Sequence, residues 1–188
     1  MSIIRNIAVA GIAGAMLAGC ASSRYSVIEP AAESVADFTT LEIRDFTSNL
    51  TDKASVKLAD SFADRLYTAV MADRAAHPGE SIFEQVVRGD QGTGRVLVLD
   101  GTVISFDEGS RAMRYFVGFG AGKAYCTIRS IFTNKETGNK VLETNFDGEL
   151  SMGVFGGSAE EAVDAVVRSY IEYFDEYFEK TGVRPKGK

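Results

Sequence analysis

Tryptophan is absent from this 188-residue chain, and histidine occurs once, cysteine twice and proline three times. One histidine and two cysteines leave almost nothing from which to build a zinc site or a Cys-His dyad. Positive charge is also short, with 20 Lys and Arg against 26 Asp and Glu and a formal charge of −6. A nucleic-acid footprint needs clustered Lys and Arg, so that class of partner is excluded. No apolar run reaches the ~20 residues of a bilayer-spanning helix. What is present, 45% hydrophobic and 24% charged residues, describes one ordinary globular domain.

The first twenty residues carry an address. Arg5 precedes an apolar stretch from Ile7 to Leu17, which ends in Leu17-Ala18-Gly19-Cys20. A positive charge, a short apolar run and a small-residue exit make the plan of a secretory signal peptide. Leu17-Ala18-Gly19-Cys20 resembles the lipobox of bacterial lipoproteins, the alternative being an ordinary signal peptide with an incidental cysteine. The resemblance implies cleavage between Gly19 and Cys20, acyl chains such as palmitate on Cys20, and a stable hold on a membrane once two or more chains are present. An Asp after the cysteine would resemble the signal for inner-membrane retention. Ala21 stands there instead, so the expected place is the periplasmic face of the outer membrane.

Residues 20–37 mix small, polar and Pro residues without a period. They read as the lipidated cysteine and a tether, with a short ordered piece near Tyr25 and Val27. Residues 38–182 form the domain. Leu41 and Ile43 suggest a first strand, extending toward Phe46. A helix follows, capped by Thr51 or Asp52, with Ala59, Phe62, Ala63, Leu66 and Val70 at helical spacing. His77-Pro78-Gly79 stops it. Residues 82–88 and 96–106 read as strands, the second a central one because Val96-Leu97-Val98-Leu99 is apolar on both faces. Strands over 123–133 and 141–152 come next. Ser158 and Glu161 form a capping box for a last helix with Val163, Val166, Val167, Tyr170, Ile171, Phe174 and Phe178 on one stripe. Residues 183–188 are a basic tail. The order β-α-β-β-β-β-α predicts an α+β fold, a single sheet of about five strands packed with two amphipathic helices.

The last hairpin can be read in register. With Gly138 in the left-handed position and Lys135 opposite Asn139, Phe132 faces Leu142, Ile128 faces Phe146 and Cys126 faces Gly148. Arg129 then meets Asn145 and Thr127 meets Asp147 on the other side. A slip by one residue would set Ile128 against Asp147, so the hydrophobic pattern selects the first register. Cys126 points into the core in this arrangement, as a structural thiol.

Extended outward, the register brings Phe116-Val117-Gly118-Phe119-Gly120-Ala121-Gly122 against Val154-Phe155-Gly156-Gly157, with Arg111, Arg114 and Tyr115 just before. Three readings stand: glycines that bend the sheet over the last helix, a protein-docking surface, or anion and lipid-headgroup contact through Arg111 and Arg114. Arg111, Arg114, Tyr115, Phe116 and Phe119 are the candidate interaction surface. Gly122-Lys123 is not a phosphate-binding loop, since Val117 and Ala124 break the pattern and a strand follows. Lone His77 reads as a surface or helix-end residue. Asp107-Glu108 reads as a solvated turn.

Arg114 to Lys123, the strand after it, Glu136-Thr137-Gly138-Asn139-Lys140, the Gly-rich segment before the last helix and the lipobox together resemble the bacterial lipoproteins grouped as domain of unknown function 4410. That resemblance implies an envelope lipoprotein without an established activity, and so no catalytic residues to carry over; no metal or cofactor is expected. The expected role is a non-enzymatic accessory or assembly component acting through a protein partner or self-association, with the membrane engaged through acyl chains. The alternative is a periplasmic small-molecule or lipid-binding module using the space between sheet and helices.

Overall fold

Alternation of buried and less buried residues along Ala124–Asn134, and along 144–149 of its hairpin partner Lys140–Leu150, builds two long antiparallel strands at the middle of the sheet. In this computed structural model, residues 21–108, 124–150 and 159–181 are described. Strands are β1 (Ala21–Glu29), β2 (Thr40–Ile43), β3 (Thr47–Ser48), β4 (Gln85–Arg88), β5 (Val96–Asp107), β6 (Ala124–Asn134) and β7 (Lys140–Leu150). The described helices are α1 (Lys53–Ala76) and α2 (Ala159–Thr181), with a 3-10 turn at Val35–Asp37. The sheet runs β1-β7-β6-β5-β2-β4, and the short β3 pairs with β5. Its β1-β7-β6-β5 half is antiparallel, whereas β2 lies parallel to both β4 and β5. The α+β class is as the sequence predicts, with seven strands among the described residues where about five were expected.

Asp52 caps α1, its side chain accepting the Ser55 N–H at 2.9 Å, and His77 ends the helix as expected. Leu58, Ala59, Phe62, Ala63, Leu66 and Val70 form its buried stripe. Both helices cover the same face of the sheet, where their apolar residues join Leu41, Leu97, Leu99, Ile128, Phe132 and Phe146 in one core. On α2, Tyr173 is buried beside the predicted Tyr170 and Phe174. Ser158 lies outside the described residues.

The hairpin pairs as the hydrophobic pattern requires, with Phe132↔Leu142, Ile128↔Phe146, Cys126↔Gly148, Arg129↔Asn145 and Thr127↔Asp147. At the turn one detail differs. Asn134, not Lys135, faces Asn139, donating its N–H to the Asn139 carbonyl at 2.9 Å. The Asn134 side chain accepts the Glu136 and Thr137 N–H groups and so holds the start of the turn. Val141 is left as the extra residue that restores the register. Gly138 takes φ +71, the left-handed conformation the hairpin demands.

The larger difference is at the N-terminal end. Ala21–Glu29, within the stretch read as a tether with a short ordered piece near Tyr25 and Val27, is the edge strand β1, antiparallel to β7 with one register shift between Val27 and Glu29. Two things order it. The outer edge of β7 offers backbone groups to pair, and Tyr25 packs edge-on against Tyr173 at 4.9 Å while its hydroxyl donates to Glu176. The strand looks unpatterned because its other side meets water. The chain then crosses to Val35, whose N–H donates to the Tyr177 hydroxyl at 2.9 Å. Phe46 is buried outside any strand, on Phe62, and Ile82 and Phe83 are buried ahead of β4.

Candidate functional site

Among the described residues, period-two alternation leaves the second face of the sheet without a helix. Along β6 this face presents Tyr125, Thr127, Arg129 and Ile131, of which Tyr125 and Ile131 are exposed. Tyr and Arg are the residue types that anchor protein interfaces, and here they stand on a rigid central strand. Register places Glu149, Asp147, Asn145 and Glu143 of β7 beside them, and Asp107, Thr102 and Asp100 of β5 on the opposite flank.

Two buried carboxylates brace this face. Glu42 is fully buried in the middle of β2. It accepts from Arg44 at 3.0 Å, from the Lys135 ammonium at 2.7 Å and from the Gly92 N–H at 3.0 Å. Lys135 also reaches Asp90 at 2.6 Å, and the Thr40 hydroxyl donates to the Thr93 carbonyl at 2.8 Å. A buried charge needs such partners to offset desolvation. Together they pin the Gly89–Gly94 loop over this end of the sheet. Lys135 first, then Arg44, holds the Asp90 carboxyl below its ordinary range. Asp100 is shifted the other way, upward, by burial first and by the nearby Glu42 charge, with Arg44 opposing.

The second brace is Glu143, buried on β7. It accepts from Lys140 at 2.8 Å and from Arg129 through Nε and a terminal nitrogen, and Lys140 also pairs with Glu29 of β1 at 2.6 Å. Lys140 first, then Arg129, holds the Glu143 carboxyl below its ordinary range. This network ties β1, β6 and β7 together on the helix-free side.

Gly19, Cys20, Arg111, Arg114, Tyr115, Phe116 and Phe119 lie outside the described residues. Cys126 is buried, its thiol pushed up to about 12 by burial and by Asp147. His77 is a helix-end residue whose Nδ1 lies 3.0 Å from Asp73, which raises its pKa through that hydrogen bond. Glu42, Glu143, Tyr125 and Ile131 were missed. Glu42 left a trace, a lone charge between Leu41 and Ile43 in a strand apolar on both sides of it. Tyr125 and Ile131 sat in plain alternation with Cys126 and Phe132.

Among the described residues no three His, Cys, Asp or Glu side chains converge to hold a metal ion. Between sheet and helices the space is filled by Phe62, Leu66, Ile128, Phe132, Phe146 and Tyr170, all fully buried. A groove between α1 and α2 near Arg74 and Phe174 holds about 20 Å³, room for a single water.

Comparison with known proteins now bears on this geometry. The family described as Domain of unknown function (DUF4410) matches residues 42–153. A search of the curated proteins finds no match. Among solved structures, a PelC dodecamer from Paraburkholderia phytofirmans has TM-score 0.50 at 10% identity, covering 80% of this chain and 94% of that one. A DUF330 protein from Xanthomonas campestris has TM-score 0.47 at 11% identity, with 81% and 91% covered. A hypothetical protein from Chlamydia trachomatis has TM-score 0.44 at 6% identity, with 75% and 98% covered. At these identities the likeness is one of fold.

Proposed function

The chain belongs to the DUF4410 family, and on that premise we propose a non-enzymatic lipoprotein of the outer membrane, facing the periplasm, that acts as an assembly or accessory component through protein contacts. Cys20 carries the acyl chains. The observation that carries the contact role is the sheet face that no described helix covers, with exposed Tyr125 and Ile131 flanking Arg129 on its central strand. Buried Glu42 and Glu143 hold that face rigid, and a preorganised surface loses little freedom on binding. The filled space between sheet and helices favours this reading over a ligand-binding module, since small-molecule sites occupy roughly 300–1,000 Å³. Self-association gains support from the dodecameric state of PelC, whose fold this chain shares.

The experiment is the native mass of the acylated protein, extracted in detergent from its own envelope, with co-purifying chains identified. A defined complex that Tyr125→Glu with Ile131→Lys dissolves, in a chain that keeps its melting temperature, is the expected result. A lone monomer in both, or a complex indifferent to the double variant, overturns the assignment of the contact face.

A further inference from the structure

Strand β1 begins at Ala21, the residue directly after Cys20. Its Cα partner is Leu150 at the end of β7, and Leu150 in turn pairs with Ala124 at the start of β6. Asp107, at the end of β5, lies opposite Tyr125. Three strand ends beside β1 therefore share one end of the sheet with the attachment point. Nothing separates the anchor from the fold. Consecutive Cα atoms are about 3.8 Å apart, whereas a flexible tether of the seventeen residues from Ala21 to Asp37 would allow a root-mean-square span of roughly 20–25 Å.

β1 is not a strand that slips free easily. Its backbone pairs with β7 along the strand, Tyr25 packs on Tyr173 and Phe146, and Glu29 is held by Lys140. A pull on Cys20 acts on the sheet itself. β6 rises from this end for ten residue steps, about 34 Å, before the Gly138 turn.

We propose that the sheet end bearing Ala21, Ala124, Leu150 and Asp107 is a membrane-apposed surface, held against the phospholipid headgroups without a tether, with the Gly138 turn directed away from the bilayer. The inference rests on acylation of Cys20 as read above. It adds which end of the domain meets the lipid and how closely. Partners that bind the helix-free face would then approach along the membrane, edge-on to the standing sheet.

The test uses the full acylated chain in phosphatidylcholine vesicles carrying a trace of acceptor-labelled lipid. Donor dye is placed at Glu108→Cys, at the β5 end, or at Glu136→Cys, in the distal turn. Both positions are exposed. Buried Cys126 stays unlabelled in the native protein. Energy transfer is expected to be severalfold stronger from position 108 than from position 136. Inserting about twenty Gly and Ser residues between Cys20 and Ala21 should erase that difference, since such a linker spans roughly 25 Å. Equal or reversed transfer in the acylated chain overturns this inference alone, as does a ratio that the insertion leaves unchanged. Mass spectrometry of the Cys20 peptide separates the two readings, because a chain without acyl mass overturns the lipoprotein reading along with this one.

Discussion

Tyr170 of α2 stacks on Phe146 of β7 with ring centroids 3.6 Å apart and planes 18° from parallel. The contact is this close because Gly148, two residues along β7, lies against the α2 backbone. A Cβ built there would sit 2.1 Å from the Ala162 carbonyl. Gly148→Ala must therefore lift the helix from the sheet. Overpacking of this kind costs about 1–3 kcal/mol, and urea unfolding should show it as a lower midpoint at unchanged slope.

The Tyr170 hydroxyl shares a hydrogen bond with Ser130, both groups buried. Burial outweighs that bond and raises the Tyr170 pKa. Tyr170→Phe keeps the ring stack and leaves the Ser130 hydroxyl without this partner. The expected loss is about 1–3 kcal/mol. A Ser130→Ala change made on top of it should restore part of that loss, because the orphaned group is then gone.

Around Glu42 the two partners are not equivalent. Lys135→Met leaves a fully buried carboxylate with fewer donors, while Glu42→Gln leaves a partly exposed Lys135 still paired with Asp90. Uncompensated buried charge is the costlier defect. Melting temperatures should fall further for Lys135→Met than for Glu42→Gln. The opposite order would show that Arg44 and the Gly92 N–H suffice for Glu42.

Stability should depend on acid pH through groups of opposite sign. Glu143 and Asp90 have carboxyls held below their ordinary 4.5 and 3.8. Their contribution is complete above those ordinary values and is lost as pH falls through the depressed ones. Lys140→Met should therefore lower the melting temperature at neutral pH and flatten the acid limb. Asp100, raised above its ordinary 3.8, opposes folding increasingly as pH rises through that ordinary value, and fully once pH exceeds the raised one. Asp100→Asn should stabilise the protein at neutral pH, and the gain should vanish in acid below that ordinary value.

Cys126 should resist thiol reagents in the native protein at neutral pH, since burial pushes its pKa up to about 12 and the thiolate is the reactive form. Full reaction in denaturant checks that the reagent is competent. Fast labelling in the native state would mean that the sheet opens at β6.

The two helices, the Asp52 cap, the stop at His77 and the pairing of Phe132 with Leu142 and Ile128 with Phe146 were all legible in the sequence. Each is a local matter. Helical periodicity, a cap or a two-strand hydrophobic register shows itself within a few residues or across one short turn. Of the candidate site, the alternation that exposes Tyr125 and Ile131 was in view, but the face they form could not be told from any alternating strand. Only the tertiary structure decided that Ala21–Glu29 joins the sheet, that β2 runs parallel to β4 and β5, and that Glu42 and Glu143 are buried and braced. Those depend on partners far along the chain: Tyr25 meets Tyr173, and Glu42 meets Lys135. An edge strand with one wet face, or a charge that will find its counter-ion 93 positions later, carries no local pattern. Its place is set by which surfaces and charges remain to be covered once the rest of the chain has folded.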